Sequence, residues 1–96
     1  MWATGKVTVT LFGNLVNAAG GRKKVEVSAT IVSEALAALI SQFGEKFKNE
    51  LFDTNGEVRG SLSFLVNNRN TRFLKQLETE LKEGDQLTIL PAVGGG

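Results

Sequence analysis

The feature that most constrains the fold of this chain is one long amphipathic segment enclosed between segments of two-residue hydrophobic periodicity. Between residues 31 and 43, apolar residues recur at three- and four-residue steps, which places them on one side of a helix. These residues are Ile31, Ala35, Leu36, Leu39, Ile40 and Phe43. Thr30 is predicted as the N-cap, because its hydroxyl can accept an orphan amide of the first turn. Gly44 follows directly and predicts the end of the helix.

Strands are predicted where apolar and polar residues alternate, because that period gives a strand one buried face. The four predicted strands are Val7 to Phe12, Lys23 to Ala29, Ser61 to Asn67 and Gln86 to Pro91. Shorter helical pieces are expected in "NLVNAAGG" and in "EKFKNELF", the second with Phe47 and Leu51 inward. Pro91 should close the last strand because proline cannot donate to a ladder.

This order of elements predicts an α+β fold in which a single sheet packs against one main helix. Ninety-six residues are enough for one domain. We place that domain at residues 1–93, with residues 1–5 as a flexible N-terminus and residues 94–96 as a flexible glycine tail. Periodicity alone leaves the strand order open.

Residue types that are missing from the chain exclude several kinds of chemistry. The sequence contains no cysteine, histidine or tyrosine, so it offers no side-chain thiolate and no side chain that ordinarily titrates near neutral pH. No carboxylate cluster has metal-ligand spacing. The net charge of +1 predicts no strong attraction to nucleic acid or to an anionic membrane. No secretory signal and no membrane-spanning segment are recognised, so a cytoplasmic location is expected.

The C-terminal sequence "ILPAVGGG" raises a functional question, because a strand-like run gives way to three glycines with nothing after them. A glycine triplet by itself is commonly a frayed terminus or a cloning remnant. A phosphate-binding loop is excluded because no helix follows the glycines.

Four segments together resemble the MoaD/ThiS family of ubiquitin-like sulfur carriers. They are "LFGNL…AAGG", "FDTNGEVRGSLSFLVNN", "LETELKEGDQLTILP" and the terminal "AVGGG". The similarity extends from Val7 to Gly96. Its most specific parts are the turn at Val66-Asn67, the pattern from Leu77 to Pro91 and the terminal glycines. The resemblance implies the β-grasp fold, a mixed sheet of four to five strands on one main helix.

The chain departs from the family pattern at several positions. Val16 and Asn17 stand where many relatives have an Arg-Glu pair, and Asn68 stands where many have glycine. Asparagine tolerates left-handed geometry. The ending has a single proline and a third glycine, and its "ILPAV" form is closer to the CysO-type carrier of cysteine biosynthesis.

The resemblance also implies a mechanism. The carboxylate of Gly96 would be adenylylated with ATP on a ubiquitin-activating-type adenylyltransferase and then converted to a thiocarboxylate. Gly94 and Gly95 would enter the partner's active site, since glycine fits a narrow tunnel, and Pro91 and Val93 would direct the tail. The chain itself would bind no cofactor and would not be an enzyme.

Further partners implied by the resemblance are a sulfur donor such as a desulfurase, and a sulfur-accepting enzyme such as the large subunit of molybdopterin synthase. The leading hypothesis is therefore the small subunit of molybdopterin synthase, with a carrier for cysteine or thiamine biosynthesis as the alternative. A ubiquitin-like modifier joined to lysines through Gly96, and a plain interaction module with an inert tail, also remain open.

Two groups of residues outside the tail are weaker candidates for partner contacts. Arg22, Lys23 and Lys24 could steer an acidic partner, although short charge runs are usually solvated edges. Arg69, Arg72 and Phe73 could belong to a docking face, and turn solvation explains them equally well.

Overall fold

The chain alternates strands and helices in the order that the sequence predicts, with two additional short elements. The computed structural model describes residues 5–59, 62–70 and 76–91. The strands are β1 (Lys6–Leu11), β2 (Lys24–Ser28), β3 (Leu62–Val66), β4 (Arg69–Asn70) and β5 (Gln86–Pro91). The helices are α1 (Asn14–Ala18), α2 (Val32–Phe43) and α3 (Glu45–Leu51), and a 3₁₀ turn spans Gln76–Glu78. The predicted strands and the short helices are therefore confirmed to within one or two residues.

The five strands form one mixed sheet in the order β2-β1-β5-β3-β4. The last strand, β5, lies between β1 and β3; it is parallel to β1 and antiparallel to β3. The other neighbours, β1 with β2 and β3 with β4, are antiparallel. This is the β-grasp arrangement that the resemblance implies, and it supplies the strand order that periodicity left open.

The core lies between the sheet and α2. Alternate residues of β1 and β5 point into it and are almost completely buried, as are the inward residues of the helix. They are Val7, Val9, Leu11, Leu87 and Ile89 from the strands and Val32, Ala35, Leu36 and Leu39 from α2. Burying a side chain of this size contributes about 1.5–3 kcal/mol, so these contacts hold β5 firmly against the rest of the fold. Phe47 and Leu51 of α3 are also buried, as the sequence predicts.

The predicted cap of α2 is wrong. The N-cap is Ile31, and Thr30 lies one residue before it. The Thr30 hydroxyl donates a hydrogen bond of 2.7 Å to Glu34 Oε1 instead of accepting an amide, and the Thr30 amide donates to the same oxygen at 2.8 Å. The carboxylate of Glu34 thus folds back over the first turn and accepts both hydrogen bonds from the residue that precedes the N-cap. At the other end, Gly44 takes φ 87° and ends the helix as expected.

The motifs Val66-Asn67 and Gly84-Asp85, which contribute to the family resemblance, meet in one hydrogen-bonded cluster. Asn67 Nδ2 donates to Asp85 Oδ1 at 3.0 Å, and the amide of Gln86 donates to Asn67 Oδ1 at 2.9 Å. The second carboxylate oxygen of Asp85 accepts the amide of Lys82 at 2.8 Å. The cluster therefore ties the β3–β4 turn to the loop that begins β5.

The β3–β4 turn depends on two consecutive asparagines with positive φ. Asn67 has φ 52° and Asn68 has φ 71°, which is the left-handed region that asparagine visits more readily than most residues. The predicted tolerance of Asn68 for this geometry is confirmed.

Within the described residues, no helix has the length and apolar character needed to cross a membrane.

We expect Asn67→Ala to destabilise the protein by about 1–2 kcal/mol more than Asn68→Ala. Both variants place alanine at a positive φ, but only Asn67→Ala also removes the hydrogen bonds to Asp85 and Gln86. Urea unfolding of the two variants measures the difference. Equal free energies of unfolding would contradict a stabilising role for the cluster.

Glu34 should make stability depend on pH. Hydrogen bonds from the Thr30 hydroxyl and then the Thr30 amide lower the pKa of the Glu34 carboxyl from its ordinary value. A lowered pKa in the folded state gives stability that is present above the pKa of the unfolded chain and is lost as pH falls through the folded-state pKa. Glu34→Gln should therefore be less stable than the unmodified chain at pH 7, and the difference should shrink below about pH 4.

Thermal unfolding across this pH range checks the prediction. Glu26→Gln is the control, since Glu26 is an exposed strand residue without a side-chain hydrogen bond in the described part of the chain. A difference for Glu34→Gln that stays constant from pH 7 to pH 3 would refute the proposed effect.

Candidate functional site

The candidate site begins where β5 ends. Because β1 and β5 are parallel, with Leu11 opposite Ile89, both strands finish at the same end of the sheet. The antiparallel strands β2 and β3 begin there, since Lys24 pairs with Thr10 and Leu62 pairs with Pro91. We call this the Pro91 end of the sheet and the opposite end, where β5 begins, the Asp85 end.

The predicted site residues fall on both sides of the last described residue. Pro91 is the final residue of β5 and pairs with Leu62 of β3, so the predicted end of the last strand is confirmed. Val93, Gly94, Gly95 and Gly96 lie outside the described residues. Their predicted roles therefore remain predictions.

The backbone that leads to these residues is held on both sides. β5 pairs with β1 from Gln86 to Ile89 and with β3 from Leu87 to Pro91. Its inward side chains, Leu87 and Ile89, have no exposed surface. Any segment that continues from Pro91 therefore starts from a fixed point at one end of the sheet.

An apolar side chain stands beside this point. Phe12 follows Leu11 directly and is 43% exposed, which makes it the one large hydrophobic residue with an exposed side chain among those described. It occupies the outward position of the alternating segment "VTVTLF", where Thr8 and Thr10 are its polar counterparts. The sequence signal for this side chain is an aromatic residue at an outward position of an alternating segment, where small polar residues precede it.

The face of the sheet opposite α2 continues this half-apolar surface. Six of its residues on the three central strands are only half-buried, while Lys6 and Gln86 on the same face are exposed. The six half-buried residues are Thr8, Thr10, Ser63, Leu65, Thr88 and Leu90. Small polar side chains alternate with leucines, so this outer face can contact a partner protein over the central strands.

The weaker sequence candidates separate in the structure. Arg22, Lys23 and Lys24 are exposed and lead into β2 at the Pro91 end. Arg69 lies in β4 at the Asp85 end, where it pairs with Val66. Arg72 and Phe73 lie outside the described residues. The structure thus places the basic trio, and not Arg69, at the end of the sheet from which the tail departs.

The motif residues of the hydrogen-bonded cluster are also at the Asp85 end. Asn67 and Asp85 lie at the far end of β3 and β5 from Pro91. Their side chains are engaged with backbone and with each other, so they support the sheet and are not placed at the candidate site.

The described residues provide no ready-made catalytic or metal centre. No group of three or more acidic, histidine or cysteine side chains is placed to hold a metal ion in the part of the chain that the structure describes. In the same part, every buried side-chain nitrogen or oxygen has a hydrogen-bond partner. The geometry of the described residues is that of a rigid support for the segment that follows β5.

Comparison with known proteins agrees with this arrangement. A model of the ThiS family matches residues 9–96. The sulfur carrier protein CysO of Mycobacterium tuberculosis is 34% identical over 95 residues, which cover 94% of this chain and 98% of the relative.

Two solved structures are similar over nearly the whole chain. One is the solution structure of small archaeal modifier protein 1 from Methanosarcina acetivorans, with a TM-score of 0.84, 36% identity and coverage of 96% of this chain and 97% of that chain. The other is a chain of the BexX/CysO complex from Amycolatopsis orientalis, with a TM-score of 0.79, 34% identity and coverage of 94% and 99%. The family match spans the strands, the motif cluster and the terminal glycines together, and this protein therefore belongs to the ThiS family.

Proposed function

We propose that this protein is a sulfur carrier that works through the main-chain carboxylate of its last residue, Gly96. The observation that carries the proposal is the family match from residue 9 to residue 96, which includes both the β-grasp support and the terminal glycines. The name of the CysO relative, a sulfur carrier protein, agrees with it.

The proposed chemistry uses two displacement steps on a partner enzyme. In the first, an oxygen of the Gly96 carboxylate attacks the α-phosphorus of ATP, which forms an acyl-adenylate and releases pyrophosphate. In the second, hydrosulfide attacks the carbonyl carbon, the C–O bond to AMP breaks, and a thiocarboxylate, AMP and a proton are formed. No oxidant or reductant is needed when hydrosulfide is the donor.

The composition of this chain suits such a role. The sulfur is carried on the main chain, so the absence of cysteine and histidine does not prevent it. Five residues follow Pro91 in the sequence, and a fully extended segment of this length reaches about 17 Å. The last three are glycines, which have no Cβ and therefore fit a narrow channel. The partner supplies ATP and the catalytic groups, so the chain acts as a substrate and not as an enzyme.

The enzyme that accepts the sulfur from the carrier determines the biosynthetic pathway in which the carrier acts. Cysteine formation is favoured by the likeness to CysO over nearly the full length of both chains. Delivery to molybdopterin, with a large subunit that accepts the tail, and delivery to thiamine use the same activated carrier. The proposed partners are thus an adenylyltransferase of the ubiquitin-activating type, a sulfur donor such as a desulfurase, and one sulfur-accepting enzyme.

A second candidate, a protein modifier, is favoured by the likeness to small archaeal modifier protein 1. In that case a lysine amine, in place of hydrosulfide, displaces AMP and forms an isopeptide bond to Gly96. Trypsin would leave residues 83–96 as a branch on the target lysine, because Lys82 is the last basic residue of the chain. Branched peptides of this kind identify the modifier, and a thiocarboxylate identifies the carrier.

The absence of cysteine makes the proposed thiocarboxylate easy to detect. When the protein is isolated from its own host, a thiol-alkylating reagent should label a fraction of the molecules, with the label confined to the C-terminal peptide. The intact mass of the unlabelled fraction should show the exchange of one oxygen for one sulfur. No cysteine competes for the reagent.

The matched control carries one alanine after Gly96 and leaves the described fold unchanged. The labelled fraction of this control should be at least about tenfold lower than that of the unmodified chain, because a displaced terminal carboxylate no longer lies at the reacting centre. Equal labelling of the control, or the absence of thiocarboxylate and of any activated tail from the host protein, would overturn the proposed function.

A further inference from the structure

Arg22, Lys23 and Lys24 form a basic cluster that no other described residue neutralises. All three side chains are exposed, and none of them makes a hydrogen bond or an ion pair within the part of the chain that the structure describes. The segment is joined to β1 through its backbone, where the carbonyl of Lys23 accepts the amide of Leu11 at 2.8 Å and Lys24 pairs with Thr10. The three positive charges are therefore available for contact with another protein.

The register of the sheet places the cluster close to the start of the tail. Lys24 pairs with Thr10, and Thr10 pairs with Thr88, so the three lie in one row across the sheet. Strands are about 4.8 Å apart, and β2 is two strands from β5. The cluster is thus separated from β5 by about 10 Å, which is about one Debye length at an ionic strength of about 0.1 M.

In the sequence that leads up to the cluster, every charged residue is basic. From Gly5 to Val25 the charged residues are Lys6, Arg22, Lys23 and Lys24, and the first acidic residue is Glu26. Glu26 pairs with Thr8, farther from the Pro91 end than Lys24. The acidic residues Glu83 and Asp85 lie at the Asp85 end, where Glu83 accepts the amide of Lys6. On the β1–β2 side of β5, the Pro91 end thus carries the three positive charges of the cluster, whereas the acidic residues Asp53 and Glu57 precede β3 on the other side of β5.

We infer that Arg22, Lys23 and Lys24 form a docking patch for the activating enzyme, and that this enzyme presents carboxylate side chains beside the entrance for the tail. The inference rests on the proposed function. A tail of glycines has no side chains with which to select a partner, and its carboxylate is negative. The basic patch supplies the long-range attraction and orientation that the tail lacks, because complementary charges raise the rate of encounter.

The test compares two triple variants that change the net charge equally. The first is R22Q/K23Q/K24Q. The control is K6Q/R69Q/K82Q, whose three basic residues lie at the Asp85 end and make no side-chain hydrogen bond or ion pair with any described residue. Each variant removes three positive charges. Thermal unfolding verifies that both fold like the unmodified chain.

The readout is ATP–pyrophosphate exchange by the host's adenylyltransferase, with each carrier as substrate. At about 0.05 M salt, R22Q/K23Q/K24Q should lower kcat/KM about tenfold with little change in kcat, while the control stays within about twofold of the unmodified chain. At about 0.5 M salt the difference should nearly vanish, because screening removes the attraction.

Three results would overturn the proposed docking patch while leaving the proposed function intact: an equal decrease in kcat/KM for the two variants, no decrease for either, or a decrease that does not depend on salt. Absence of exchange with the unmodified chain would overturn the proposed function and the docking patch together.

Discussion

The constraint on which the structure depends is the placement of β5 between β1 and β3. This strand is the last described element, yet it pairs on both edges and buries Leu87 and Ile89 completely. A C-terminal strand at the edge of a sheet could fray together with whatever follows it. Here the parallel pairing to β1 fixes the direction in which the chain leaves, and the pairing of Pro91 with Leu62 fixes the point of departure.

The two ends of the sheet differ in the kind of side chains that they carry. At the Asp85 end, Asn67 and Asp85 link the β3–β4 turn to the start of β5. At the Pro91 end, exposed Phe12 follows β1, the strand next to β5, and the basic trio leads into β2, two strands from β5. The most recognisable internal motifs are thus structural, while the surface proposed to meet a partner consists of residues that no motif marks. Membership of the ThiS family follows from the whole chain, including the glycines.

Local features of the fold could be predicted from the sequence because they depend on local periodicity. Alternation in "VTVTLF" identified β1, and three- and four-residue steps identified α2. Strand order could not be obtained in this way, since the pairing of β1 with β5 joins residues almost eighty positions apart, and only the family resemblance supplied it. The start of α2 was misplaced because Thr30 can donate as well as accept, and a nearby carboxylate, Glu34, competes for its hydroxyl. The proximity of the basic trio to Pro91 became visible only once the register was known.

The central claim is that β5 sets the distance at which the terminal carboxylate works. Deletion of Ala92 tests it most directly, because the deletion keeps Pro91, Val93 and all three glycines but shortens the reach from the sheet by about 3.4 Å. The quantity to measure is the yield of thiol-reactive label on the C-terminal peptide, relative to the unmodified chain. The account predicts a loss of about tenfold or more with an unchanged melting temperature. Labelling equal to that of the unmodified chain would contradict the account, because it would show that a terminal glycine is sufficient for thiocarboxylate formation whatever its distance from β5.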